Sequence, residues 1–169
     1  MIGQYVVKKG NILTPQLLYD SNDVQEKIVI PHVCNNLGVM GAGVALALKN
    51  KWPQVEEEYL YLKEHGGLKL GEICWASVGE RSTVVNMIAQ DGVVGKNNSK
   101  PIKYYALVDC MRYVKYRIDF LKENTTNKYV IHSPKFGSDL AGGKWEFISE
   151  LIREIWIENG IDVVVYEYK

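Results

Sequence analysis

The sequence predicts a three-layer α/β/α fold around a central mixed sheet, on three observations. Apolar segments of two-residue period alternate with segments of three- and four-residue period, the order of strands wound with helices. Two neighbouring strand-like segments, 72–78 and 83–89, are joined only by Gly79-Glu80-Arg81-Ser82, a link so short that it makes them an antiparallel hairpin. Val163, Val164 and Val165 stand in succession near the end, as in a strand buried on both faces.

Taken in order, Tyr5-Val6-Val7-Lys8 reads as the first strand and Thr14 to Lys27 as irregular chain. An apolar strand follows from Lys27 to Val33, then a glycine-rich loop and a short helix from about Ala42 to Asn50. Pro53 suits a first helical position, and Glu56, Glu57 and Glu58 complement the dipole of a helix that Gly66-Gly67 ends. After the hairpin, the polar stretch 90–100 reads as a surface loop. Leu107, Cys110, Met111, Val114, Ile118 and Leu121 mark an amphipathic helix over about 102–122. Tyr129 to His132 is a strand, and a second glycine loop, 136–143, opens the last helix with Trp145, Ile148, Leu151, Ile152 and Ile155 on its apolar face. Asn159-Gly160 stops that helix before the final strand, 161–168.

With 169 residues, 47% of them apolar, the chain is sized for one domain over 1–169. Twenty basic residues balance 20 acidic ones, so general nucleic-acid binding and an anionic membrane surface are not expected. Cys34, Cys74 and Cys110 are odd in number and each lies in an apolar stretch, which suits reduced thiols in the cytoplasm, not a disulfide framework or a zinc site. No segment reads as a leader or a membrane span.

The first glycine loop is the richest part of the chain. A strand ending in His32-Val33-Cys34-Asn35 leads through Asn36, Gly38, Gly41, Ala42 and Gly43 to Val44 and a small-residue helix, so that backbone N–H groups converge at a helix start suited to phosphate. The spacing is neither a Walker loop nor a dinucleotide fingerprint. The second loop, Phe136-Gly137-Ser138-Asp139-Leu140, also passes from strand to helix. In open α/β sheets such loops lie beyond the carboxyl ends of strands, where a ligand with two phosphates fits between them. His32 is either a proton-transfer group beside the first loop or a satisfied core histidine. Asp139 either takes part in chemistry or caps its loop through backbone N–H groups. Cys34 is either a nucleophile or a small buried hydrophobe, and His132 and His65 read as structural.

Gly10-Asn11-Ile12, the loop from Cys34-Asn35 to Gly43, Asn86 to Gln90, the loop from Gly137 to Gly143 with Trp145, and Val165-Tyr166 together resemble the macrodomain family, the modules that bind ADP-ribose. Within it the chain is most similar to the small single-domain branch of ADP-ribose-1''-phosphate phosphatases and terminal ADP-ribose glycohydrolases. The resemblance implies that Asn11, with Ile12, meets adenine where the family usually has Asp. It implies that Asn35 meets the distal ribose. Gly38, Gly41, Ala42, Gly43 and Val44 would flank the diphosphate on one side, and Phe136, Gly137, Ser138 and Leu140 on the other. Gln90 stands where the glycohydrolases carry a lysine and Ala141 where they carry an aspartate. An amide cannot attack the anomeric carbon as an amine does, so that mechanism is not expected. The phosphatase pattern implies His32 acting with Asp139 on ADP-ribose-1''-phosphate, without metal or cofactor. The other readings are a hydrolase of ADP-ribosylated protein or nucleic acid, and a reader without catalysis.

Overall fold

The computed structural model describes residues 1–168. Six strands, β1 (Tyr5–Lys9), β2 (Glu26–Asn35), β3 (Ile73–Ser77), β4 (Ser82–Gln90), β5 (Lys128–Ser133) and β6 (Asp162–Glu167), form one sheet in the order β1-β6-β5-β2-β4-β3. All neighbours are parallel except β3, which returns antiparallel along β4 as the hairpin predicts. The helices are α1 (Gly43–Lys51), α2 (Gln54–His65), α3 (Tyr104–Lys122) and α4 (Trp145–Ile155), with a short 3-10 turn over Ile157–Asn159.

The sheet separates two apolar layers, which is the three-layer arrangement expected. One holds Met87, Leu107, Met111, Ile118, Ile148 and Trp156 against α3 and α4. The other holds Ile30, Leu48, Val55, Tyr59 and Ile88 against α1 and α2. Alternation in β6 sends Val163 and Val165 to the first layer and Val164 to the second. No described helix is long and apolar enough to cross a membrane.

Boundaries differ from the sequence reading where tertiary bonds intervene. α3 starts at Tyr104, because the Ile102 and Lys103 N–H groups donate to the Ala141 and Ala89 carbonyls and keep the preceding chain extended. Pro53 is the cap residue of α2, one position before the helix. β2 extends outward to Glu26 and Asn35, because both polar ends find partners inside the protein.

One such end is a buried polar chain. Glu26 and His132 are almost fully enclosed, with His132 Nε2 2.6 Å from Glu26 Oε2 and His132 Nδ1 2.8 Å from the Tyr166 hydroxyl. Glu26 Oε1 accepts the N–H groups of Leu18 and Tyr19 at 2.7 and 2.8 Å, and the Tyr166 hydroxyl accepts that of Gln16 at 2.9 Å. The irregular stretch after β1 is thus pinned across β5 and β6 from beneath. The structural reading of His132 is correct, and Glu26, half of the pair, stands out in the sequence by nothing more than one acid at the start of a strand.

His32 is enclosed in a second polar cluster. In β2 its side chain points toward the α2 layer, 1% exposed, with Nε2 2.5 Å from Asn86 Oδ1 and the Cys34 sulfur at 3.6 Å. The Asn86 Nδ2 in turn donates to the Val55 carbonyl in α2 at 3.0 Å. Burial lowers the His32 pKa from 6.5 to about 4, so the imidazole rests as a neutral core group.

Two stability outcomes follow. Glu26→Ala removes the partner of His132 and of two main-chain donors, and urea denaturation should register a loss of about 3–5 kcal/mol, the cost typical of breaking a buried pair. Because the folded pKa of His32 is depressed, the unfolded chain takes up a proton at higher pH than the native state does. The stability due to neutral His32 is complete above pH 6.5 and is lost as pH falls to about 4, by up to ~3 kcal/mol. His32→Gln should flatten the dependence of stability on pH between those limits, and an unchanged slope would refute this account.

Candidate functional site

The parallel arrangement puts the carboxyl ends of β2, β4, β5, β6 and β1 along one edge of the sheet. A cleft of about 350 Å³ opens there between the loop after β2 and the loop after β5. Its first wall is built from Asn35. The register of β2 against β4 shifts between Cys34 and Asn35, and this bulge re-aims the Asn35 side chain into its own loop. Asn35 Oδ1 accepts the N–H groups of Leu37, Gly38 and Val39 at 3.0, 3.1 and 3.2 Å, and Nδ2 donates to the Val39 carbonyl at 2.7 Å. The Tyr59 hydroxyl of α2 lies 2.9 Å from Oδ1 and also hydrogen-bonds the Asn35 carbonyl. Asn35 borders the cleft at 6% exposure, and its amide shapes the loop.

The loop delivers Gly41, Ala42, Gly43 and Val44 to the cleft, all exposed. Gly43 has φ +59°, and α1 begins there with no side-chain cap on Ala42, so its first N–H groups are free to meet an anion. Gly38 lies behind this wall and does not line the cleft; its N–H goes to Asn35 and Tyr59.

The second wall carries Phe136, Gly137, Asp139 and Leu140. Phe136 is anchored in the core, edge-on to Trp145 at 6.2 Å between ring centroids. Gly137 has φ +77°, and a Cβ there would come within 2.9 Å of Ile148, so loop and α4 touch through the missing side chain. Ser138 is turned away from the cleft, its hydroxyl donating to the Lys135 carbonyl at 2.9 Å. Asp139 and Leu140 are exposed at the lip. The Asp139 carbonyl, not its carboxyl group, accepts the Gly142 N–H, so capping by the side chain is not what holds this loop.

Gln90, half-buried at the end of β4, forms the floor beside Asn35. Asn11 and Ile12 lie beyond β6 and β5 on the same edge and do not line this cleft. Asn11 Oδ1 accepts the Leu13 N–H at 2.9 Å, and Ile12 is buried in the α1/α2 layer. His32 borders the cleft only as part of the buried strand, as described above. Cys34 is buried too, and burial pushes its thiol well above the ordinary value, which excludes a resting thiolate nucleophile.

Sequence reasoning missed four contributors. Val93 and Val94, from the stretch read as a surface loop, line the mouth of the cleft. That loop is braced, with Asn36 Nδ2 donating to Asp91 Oδ1 at 3.0 Å and Asn98 Nδ2 to the Asp91 and Val93 carbonyls at 2.9 and 3.0 Å. Paired valines in a polar stretch are the signal that could have found them. Lys135 is the one cationic side chain among the described residues that line the cleft, 3.8 Å from Glu167. Tyr59 has no signal in the sequence, since an aromatic on a helix reads as core.

No family model matches the chain. It is 25% identical over 186 residues to a protein named ADP-ribose 1''-phosphate phosphatase from Candida glabrata, covering 94% of this chain and 96% of the relative. A protein of unknown function from Bacteroides thetaiotaomicron superposes with a TM-score of 0.84 at 32% identity, covering 97% of this chain and 98% of that one. A macrodomain protein from Streptomyces coelicolor superposes with a TM-score of 0.77 at 30% identity, over 98% of this chain and all of that one (100%). With the sheet order and both glycine loops in place, the chain belongs to the macrodomain family.

Proposed function

We propose that the protein binds ADP-ribose and its derivatives in this cleft and hydrolyses ADP-ribose-1''-phosphate to ADP-ribose and phosphate. The observation that carries the binding is the pair of facing glycine loops, one of them ending in an uncapped helix start. Main-chain N–H groups there suit a diphosphate without requiring several cations. Lys135 adds one positive charge on the β6 side. Adenine would lie toward Asn11 and Ile12 at the end of β1, and the distal ribose toward Gln90.

The name of the Candida glabrata relative supports the phosphatase reading. With His32 enclosed, the exposed carboxyl group of Asp139 is the remaining candidate for the proton. Water adds to phosphorus and gives a proton to Asp139, the bond from phosphorus to the ribose oxygen breaks, and that oxygen takes up a proton as phosphate leaves.

One observation favours a second reading. The mouth of the cleft is aliphatic, with Val93, Val94 and Leu140 between 43 and 46% exposed. An ADP-ribosyl group carried on a protein or a nucleic acid could lead its attachment out over such a surface, to be removed or simply held.

Calorimetric titration with ADP-ribose, followed by ADP-ribose-1''-phosphate with free phosphate monitored, tests both steps. Binding near ~1 μM is expected, and Gly43→Glu should abolish it, because the side chain enters the loop at positive φ with a negative charge. Unchanged affinity in that variant would remove the first loop from the site. Asp139→Asn should retain binding and lose phosphate release by about 10²-fold or more. Binding without release in the unaltered protein leaves the second reading.

A further inference from the structure

We propose that the outer face of α3 is a self-association surface, on which two copies of this chain pair their α3 helices antiparallel about a two-fold axis. Tyr105, Tyr113, Tyr116 and Phe120 are 65, 53, 58 and 67% exposed. At 100° per residue they fall within an arc of about 80°, opposite the buried residues Leu107, Met111, Val114 and Ile118. The result is a second apolar stripe, about 22 Å long, on a helix whose first stripe already packs against the sheet. Exposed tyrosines in a row are the side chains that dominate protein interfaces, since each offers a large, stiff apolar body and a polar tip.

The order of residues along the stripe selects the occupant. Tyr105 and Phe120 lie at equal distances on either side of the point between Arg112 and Tyr113, and so do Asp109 and Tyr116. Antiparallel pairing about that point sets Tyr105 against the partner's Phe120 and directs the Tyr116 hydroxyl toward the carboxyl group of the partner's Asp109. It also brings Tyr113 together with the partner's Tyr113 at the axis. Tyr105, Asp109, Tyr116 and Phe120 then each meet a different residue of the same sequence that suits them, the reciprocal pattern of an isologous contact. A single-sign charge field, which would point to a nucleic acid, is absent from the stripe: Asp109 and Arg112 both lie on it, and Lys115 beside it is paired with Asp119 at 2.6 Å.

The area sets the strength. Four rings more than half exposed contribute about 100 Å² each, about half of the ~800 Å² per partner found in stable complexes. The dimer is therefore reversible. None of the four aromatic residues lines the cleft.

Sedimentation velocity of the full chain between about 10 μM and about 1 mM tests this. The weight-average mass should rise toward twice that of the monomer. Tyr116→Glu, which opposes the partner's Asp109 with like charge, should keep the protein monomeric at an unchanged melting temperature. The register has its own readout: under mild oxidation a mixture of Asp109→Cys and Tyr116→Cys chains should form a disulfide-linked heterodimer that neither variant forms alone. A monomer throughout the concentration range, association that survives Tyr116→Glu, or cross-linking of either variant with itself alone would overturn the proposal. So would association that appears only when a single-stranded oligonucleotide is added.

Discussion

The cleft depends on one amide. Asn35 sits at a bulge in the central strand, and its side-chain oxygen gathers three consecutive N–H groups and the Tyr59 hydroxyl. The seven residues 36–42, without internal secondary structure, would otherwise sample many conformations at a cost of about 1–2 kcal/mol per ordered residue. Closing it on a group rooted in the sheet fixes where the chain re-enters as α1, and so where the free N–H groups of that helix point. Tyr59 carries the constraint into α2, so the wall of the cleft and one core layer are set by the same few hydrogen bonds.

The polar interior follows the same logic. Glu26, His132 and Tyr166 tie an irregular segment to three strands, and His32 with Asn86 ties two strands to α2. In each case the burial cost of a polar group is offset by partners in elements distant in sequence. The cleft itself is electrically sparse, with Lys135 and Asp139 as its charged side chains among the described lining residues. Recognition of a diphosphate therefore falls to the main chain, and this explains why glycines rather than arginines mark the site.

The thiols illustrate how environment decides chemistry. Cys34, His32 and Asn86 have the residue types of a nucleophilic triad and lie within 4 Å of one another. Burial raises the thiol pKa and lowers that of the imidazole, so both stay neutral and the thiolate–imidazolium pair that such chemistry needs does not form. Residue types alone leave both roles open for Cys34 and His32.

The amino-acid sequence by itself determined the strands and helices, the single antiparallel hairpin, the burial of Val163 to Val165 and the two glycine loops. These are local properties, carried by the period of apolar residues and by the conformations that only glycine adopts freely. The roles of individual polar residues were not legible. Whether His32 faces solvent or α2, which bonds Asn35 makes within its own loop, and whether Val93 and Val94 reach the cleft depend on what lies across the sheet or beyond a turn. Tertiary structure decided these points, because hydrogen-bond partners and desolvation are set by neighbours tens of residues away along the chain.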